Sequence, residues 1–337
     1  MSNYASITKS KNLFGQLLCD EDFKNLIMFD DLNSVIDYFK NRTAYGDRLT
    51  ILDSRNVLYF ENQIKKAFFK YYGKFYHYFI NEDKDLFKAL FLRYEVENLK
   101  LYVRNAIRLK PMENLKDEIL ITDLYSNLNY ELLSLSVDLN TLIESLHGTP
   151  YQKIIKKYAD QDDEKKLFYI EMSLDRHYFK QLSKAISNLS DKNKIPLIEL
   201  LGVNSDLLNI QWIYRGRKYF NLSPEELFNY CLESGKKVKN EYMKKLCYID
   251  DFEELKREVQ KTKYEYMFAD NDIMVERNME RIIFKLIDTL IIKNWDSIIV
   301  PIGYLHKLEY EMRDIFTVFE AIRYGEKNIE NYLVRTL

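Results

Sequence analysis

Apolar residues recur along this chain at offsets that fit one face of an α-helix, and the same offsets return three times. The first run takes Glu61, Ile64, Phe68, Phe69, Lys70 and Tyr72; the second takes Glu171, Leu174, Tyr178, Phe179, Lys180 and Leu182. The third reads Glu276, Met279, Ile283, Phe284, Lys285 and Ile287. Positions three, seven, eight and eleven beyond the acid share one side of a helix. Any core helix shows that period. The acid that opens each run, and the lysine behind the central pair, are the specific part of the signal. We designate this element helix A.

A second helix, B, follows each time. Glu95, Asn98, Leu99 and Val103 match Asp206, Asn209, Ile210 and Tyr214, then Glu311, Asp314, Ile315 and Phe319, with Leu92, Val203 and Leu308 three residues before each acid. The A acid and the B acid lie 34, 35 and 35 residues apart in the three copies. Upstream, Asp31, Leu32, Val35, Phe39, Thr43 and Tyr45 correspond to Asp138, Leu139, Leu142, Leu146, Thr149 and Tyr151. The third copy there is Asp251, Phe252, Leu255, Val259, Thr262 and Tyr264, with a one-residue indel. Each reads as an amphipathic helix closed by a T-x-Y break. A repeated order at a period of about a hundred residues describes copies of one helical bundle, too large for solenoid units. The copies run over 1–112, 113–222 and 223–337, an all-α fold of three pseudo-symmetric repeats that either close about an axis or form an open row.

Proline placement fits this division. Pro111 and Pro224 fall at the junctions, Pro150 in a T-x-Y break, and Pro196 and Pro301 each ten residues before a helix B acid, in the A–B connection. None is expected inside a helix. Ser223-Pro224-Glu225-Glu226 has the form of a helix start, with Ser as N-cap, Pro in the first turn and Glu completing a capping box. Only 9 glycines and 5 prolines in 337 residues favour long helices with few turns.

Charge and cysteine content narrow the class. With 50 basic and 52 acidic residues the net charge is −2, which provides no global field for nucleic acid or an anionic membrane. Cys19, Cys231 and Cys247 lack CxxC spacing and read as reduced thiols. The N-terminal segment has no apolar core of a signal peptide. The greasiest stretch, Ile287 to Leu305, carries Asp288, Lys293 and Asp296, so a soluble chain without a membrane span is expected.

Candidate chemistry is sparse. Glu144 and His147 have the E-x-x-H spacing of di-iron bundles, but only once, and Gly148 places His147 at a helix end. The run Asp160, Asp162, Asp163 and Glu164 lacks the doubled spacing of a Mg²⁺-holding cluster and reads as a solvated loop; Asp30, Asp31 and Asp37 fail on spacing too. No phosphate-cradling glycine motif or nucleophile elbow occurs. No catalytic residue, metal or cofactor is expected. Arg215, Arg217 and Lys218, flanked by Tyr214, Tyr219 and Phe220, read first as the cationic end of a helix and second as a contact surface. The aromatic segment from Phe68 to Phe79 reads first as core and second as an interface, with Tyr71, Tyr72, Tyr76 and Tyr78 as its candidates.

The segment Leu92-Arg-Tyr-Glu95-Val-Glu-Asn98-Leu99-Lys100 resembles the R-x-E-x-x-N-L helix of the C subunit of V/A-type rotary ATPases, whose eukaryotic equivalent is the d subunit. Asp206-Leu-Leu-Asn209-Ile210, the Glu309 to Ile315 segment and Ala321-Ile322-Arg323 are similar to that family as well. The second copy has Asp206 in place of Glu, and the third has Asp314 in place of Asn. The resemblance covers essentially the whole chain. It implies three helical bundles forming a funnel, and a non-catalytic connector at the cytoplasmic face of the proteolipid ring. Such a connector receives the central shaft, turns with it, and passes torque between the ATP-hydrolysing head and the ion-carrying ring. It implies partners in the shaft and ring, and a peripheral, cytoplasmic location. An all-α enzyme with a carboxylate–metal site, of the terpene-synthase kind, and a generic helical scaffold are the alternatives. Lacking a phosphate-binding loop, the isolated chain should show no stoichiometric ATP binding by titration calorimetry.

Overall fold

The computed structural model describes residues 4–46, 57–112, 115, 119, 126, 128–233, 235–236 and 238–337. Fifteen helices are used below, and among the described residues there is no strand. They are α1 (Tyr4–Phe14), α2 (Asp20–Leu26), α3 (Leu32–Arg42), α4 (Val57–Tyr76), α5 (Asn81–Ile107), α6 (Tyr130–Ser134), α7 (Leu139–Ser145) and α8 (Pro150–Lys156). Then follow α9 (Asp163–Ser187), α10 (Asp191–Phe220), α11 (Pro224–Tyr230), α12 (Asn240–Cys247), α13 (Phe252–Gln260), α14 (Val275–Lys293) and α15 (Ile299–Tyr324). No described helix is long and apolar enough to cross a membrane. Helix A of the sequence pattern is α4, α9 and α14; helix B is α5, α10 and α15. Each pair is preceded by short helices, α2 and α3, α6 to α8, or α12 and α13.

Local chemistry explains the ends of these elements. Asp31 and Asp138 cap α3 and α7 by accepting from the backbone N–H of Ser34 and Thr141. Ser223 caps α11 with Pro224 in the first turn and Glu226 completing the box. In the T-x-Y break after α3, the Thr43 hydroxyl donates to Phe39 O at 2.8 Å and accepts from Tyr45 N at 3.2 Å. Thr262 accepts from Tyr264 N at 3.0 Å in the same way. Helices α10 and α15 end on left-handed residues, Asn221 and Gly325.

The prolines require a correction. Helix B begins earlier than the sequence suggests, so Pro196 lies inside α10 and Pro301 in the first turn of α15. A first-turn proline removes an N–H that has no helical partner in any case. Pro196 is the sixth residue of its helix, where its ring takes away the bond to Lys192 O. The connection preceding α10 is correspondingly short, Asn188 to Ser190.

The chain packs as two compact units. One comprises residues 1–80, 191–200 and 260–337; the other comprises 81–190 and 201–259. These units cut across the repeats, because a helix B packs on the elements that follow it in repeat order. In the second unit α5 lies along α9, with Lys100 on Asp175 and Arg104 on Glu171 at 2.5 Å. In the first unit α15 lies against α1, α3 and α4. Leu99, Ile210 and Ile315, at equivalent repeat positions, are fully buried.

The three helix B acids are buried as well: Glu95 is 2%, Asp206 0% and Glu311 1% exposed. A carboxylate removed from water must be compensated by donors. Each acid receives one from the segment leading into the next short helices. Glu95 accepts from Ser126 Oγ at 2.6 Å, Asp206 from Lys236 N at 3.1 Å, and Glu311 from Leu18 N at 2.6 Å. Gly235 lets the backbone come this close, since a Cβ there would lie 2.3 Å from Asp206 Oδ1. Two T-x-Y tyrosines add a second donor: Tyr151 Oη to Glu95 and Tyr45 Oη to Glu311, both at 2.6 Å.

Around Glu311 the C-terminal segment completes the cluster. Arg335 reaches Asp314 at 3.2 Å, Asp20 at 3.5 Å, Glu311 at 3.9 Å and Leu18 O at 3.1 Å. Asp314 accepts from Val334 N at 2.6 Å, and Arg281 holds Leu333 O and Asn331 O. Burial nevertheless dominates and pushes the Glu311 carboxyl up to about 7, against the lowering effect of Tyr45, Arg335 and Leu18 N.

Two predictions come from this packing. Tyr45→Phe and Tyr151→Phe each remove a hydrogen bond to a buried acid and should cost about 1.5–3 kcal/mol in urea unfolding. A raised carboxyl pKa means that the folded state binds the proton more tightly than the unfolded chain. Glu311 therefore subtracts from stability as pH rises from about 4.5 through 7, by roughly 3 kcal/mol in total. Glu311→Gln should remove that part of the slope between pH 5 and pH 8.

Candidate functional site

The residues singled out as contact candidates fall into two groups that belong to different units, residues 71–78 in the first and Arg215 with Arg217 in the second. Tyr71 and Tyr72 are buried, at 5% and 4% exposure, and are corrected to core residues. Their side of α4 faces aromatic neighbours in the same unit: Tyr71 and Phe75 sit 6.2 and 5.7 Å from the Tyr304 ring, and Tyr72 packs on Phe68. Tyr76 is half-buried and Tyr78 exposed, where α4 ends and the chain turns into α5. Arg215 is exposed on the last turns of α10. Arg217 is engaged within the unit, paired with Asp250 and donating to Cys247 O at 3.3 Å. Substituting it would therefore disturb packing within the unit as well as any contact made at this helix end.

The other candidates remain unconnected. His147 is exposed just beyond α7, next to Gly148 at positive φ. Asp160 and Asp162 are exposed before α9, and the side chains of Asp163 and Glu164 lie outside the described residues. Among the described residues no three His, Cys, Asp or Glu side chains are grouped to hold a metal ion. Cys231 and Cys247, far apart in sequence, meet in the second unit, and their mutual contact together with burial pushes the Cys231 thiol up.

A surface that the sequence reading missed lies at the turns between helices A and B. The first unit contains all three of these tips: residues up to 80 in the first, 191–200 in the second and 292–298 in the third. Each presents apolar side chains to solvent. Tyr78 and Ile80 do so at the first tip, Ile195 (64% exposed) and Ile198 (51%) at the second, and Ile292 (76%) and Trp295 (62%) at the third. The second and third tips are joined by Lys192 to Asp296 at 2.6 Å and by Ile298 N donating to Asn193 Oδ1 at 3.0 Å. Lys11 from α1 sits 4.9 Å from the Trp295 ring centroid. Near the start of α15, Tyr304 receives the end of α4, which brings the first tip to the same helix. The legible signal is a set of apolar residues off the helix A and B faces, in the second and third repeats close to Pro196 in α10 and Pro301 in the first turn of α15.

Comparison with known proteins gives this arrangement a context. A family model described as ATP synthase (C/AC39) subunit matches residues 7–332. The C subunit of the A-type ATP synthase of Methanosarcina mazei is 24% identical over 266 residues, covering 78% of this chain and 71% of its own. That of Thermococcus kodakarensis is 22% identical over 318 residues, 92% of this chain and 84% of its own. The counterpart from Methanosphaera stadtmanae is 26% identical over 199 residues, 54% of this chain and 50% of its own. With nearly the whole length matched and an all-helical fold in place, the chain belongs to the ATP synthase (C/AC39) subunit family.

Proposed function

We propose that this chain is the non-catalytic connector of a V/A-type rotary ATPase, joining the central shaft to the proteolipid ring at the cytoplasmic face of the membrane. On this reading residues 1–112, 113–222 and 223–337 are three copies of one helical bundle arranged as a funnel about a pseudo-threefold axis. The recurring order of short helices and then two long ones supports the triplication. So does the matching placement of three buried acids, the last of which is satisfied by residues near the start of the chain.

The observation that carries the connector reading is the set of apolar A–B tips gathered in one unit. Three equivalent tips suit a ring that offers the same short loop many times. A shaft that presents one asymmetric surface has to be read by positions at which the copies differ, and Arg215 and Tyr76 are such positions. Torque transfer needs no catalytic group in the connector, only contacts that outlast the load.

Ile198→Glu combined with Ile292→Glu tests the ring contact. Both side chains are exposed, so the melting temperature should change little, while retention on membranes containing the ring should be lost. Wild-type retention would remove the tips from the contact. Arg215→Glu should weaken co-purification with the shaft subunits and leave ring retention intact.

A further inference from the structure

The second unit holds an open groove of about 970 Å³ between α9, α8 and the segment after α11. Its charge is one-sided. Lys157, Arg176, Lys180 and Lys184 line it, against a single carboxylate, Glu233. A chain with net charge −2 thus concentrates four cations on one concave surface. Arg176, Lys180 and Lys184 stand four residues apart on α9, which sets them in a row with steps of about 6 Å. Lys180 and Lys184 are exposed, and among the described residues neither pairs with a carboxylate. Arg176 is oriented by donating to Asn229 O at 2.9 Å, and Lys157 lies 5.0 Å from the Tyr158 ring centroid. His177 adds no charge at neutral pH, because burial and the neighbouring Lys180 push its imidazole pKa down. Beneath the cations Tyr158, Phe179 and Cys231 are buried, and Ser173, Gln181, Ser183 and Ser187 add polar groups to the lining.

We propose that this groove seats an acidic helix of a partner protein, carrying carboxylates at four-residue intervals opposite Arg176, Lys180 and Lys184. The row spans about 12 Å, the length of roughly two helical turns, so three carboxylates on one face meet three cations in register. A membrane surface is a poor match, since the cations line a concave groove and not a flat or convex face. The groove lies in the unit that contains none of the A–B tips, so it shares no residue with the ring contact proposed above.

The test uses the isolated full-length chain, which makes it independent of the connector reading. The probe is a fluorescent helical peptide with glutamates at three positions four residues apart and leucines on the adjoining face. Anisotropy should show binding that weakens as salt rises and weakens at least tenfold with Lys180→Glu/Lys184→Glu. The same composition in scrambled order should bind at least tenfold more weakly than the patterned peptide, and a lysine-patterned peptide should prefer the variant. The proposal is overturned if patterned and scrambled peptides bind alike, or if the variant binds as the wild type does. It is overturned equally if vesicles containing phosphatidylserine, or inorganic polyphosphate, bind and the patterned peptide does not. Circular dichroism melts of the variant serve as the folding control.

Discussion

A carboxylate buried in the middle of each helix B is the constraint around which the rest of this protein is arranged. Glu95, Asp206 and Glu311 occupy positions that leucine or isoleucine would fill more cheaply, so each must be met by donors brought from elsewhere. None of those donors comes from the helix that carries the acid. They come from backbone and hydroxyl groups in the next stretch of the repeat order: Ser126 and Tyr151, Lys236, and Leu18 with Tyr45. A packing dictated by this need draws successive repeats together at their edges, and the compact units accordingly straddle the repeats.

Much of this is legible in the sequence, and the part that is not has a physical reason. Helices A and B are visible because their apolar period is strong and their acids recur at fixed distances. The T-x-Y breaks are visible as punctuation, but not as donors, because a tyrosine hydroxyl reaches its acid through tertiary packing that periodicity does not encode. Tyr45 and Glu311 are separated by 266 positions. The start of α10 is hidden since a proline usually marks a boundary, whereas here Pro196 is carried inside a helix of 30 residues. Tyr71 and Tyr72 illustrate the same limit on the surface side. A helix with aromatics on several faces does not announce which face is covered, and α4 turns Tyr71 and Phe75 towards Tyr304. The apolar tips stay hidden because single isoleucines near turns carry no pattern until the three turns are seen in one unit.

The two units therefore offer different chemistry for association. One exposes apolar groups near its three A–B junctions and buries a charge cluster around Arg335. The other exposes cations along α9 and keeps its aromatics stacked, with Tyr158, Tyr169 and Tyr230 packed ring to ring at 5.2 to 6.3 Å. Apolar contacts resist salt and hold under load, while a charged row favours fast, orientated capture.

Because the donors to each acid lie beyond the end of its own repeat, dissection of the protein at the repeat borders is the wrong cut. A fragment ending at residue 112 keeps Glu95 and loses Ser126 and Tyr151, leaving an uncompensated carboxylate inside its core. The complementary piece keeps Glu311 but loses Leu18 and Tyr45. Neither fragment inherits a complete folding unit, so the smallest autonomous piece of this protein is larger than the sequence repeat that generated it.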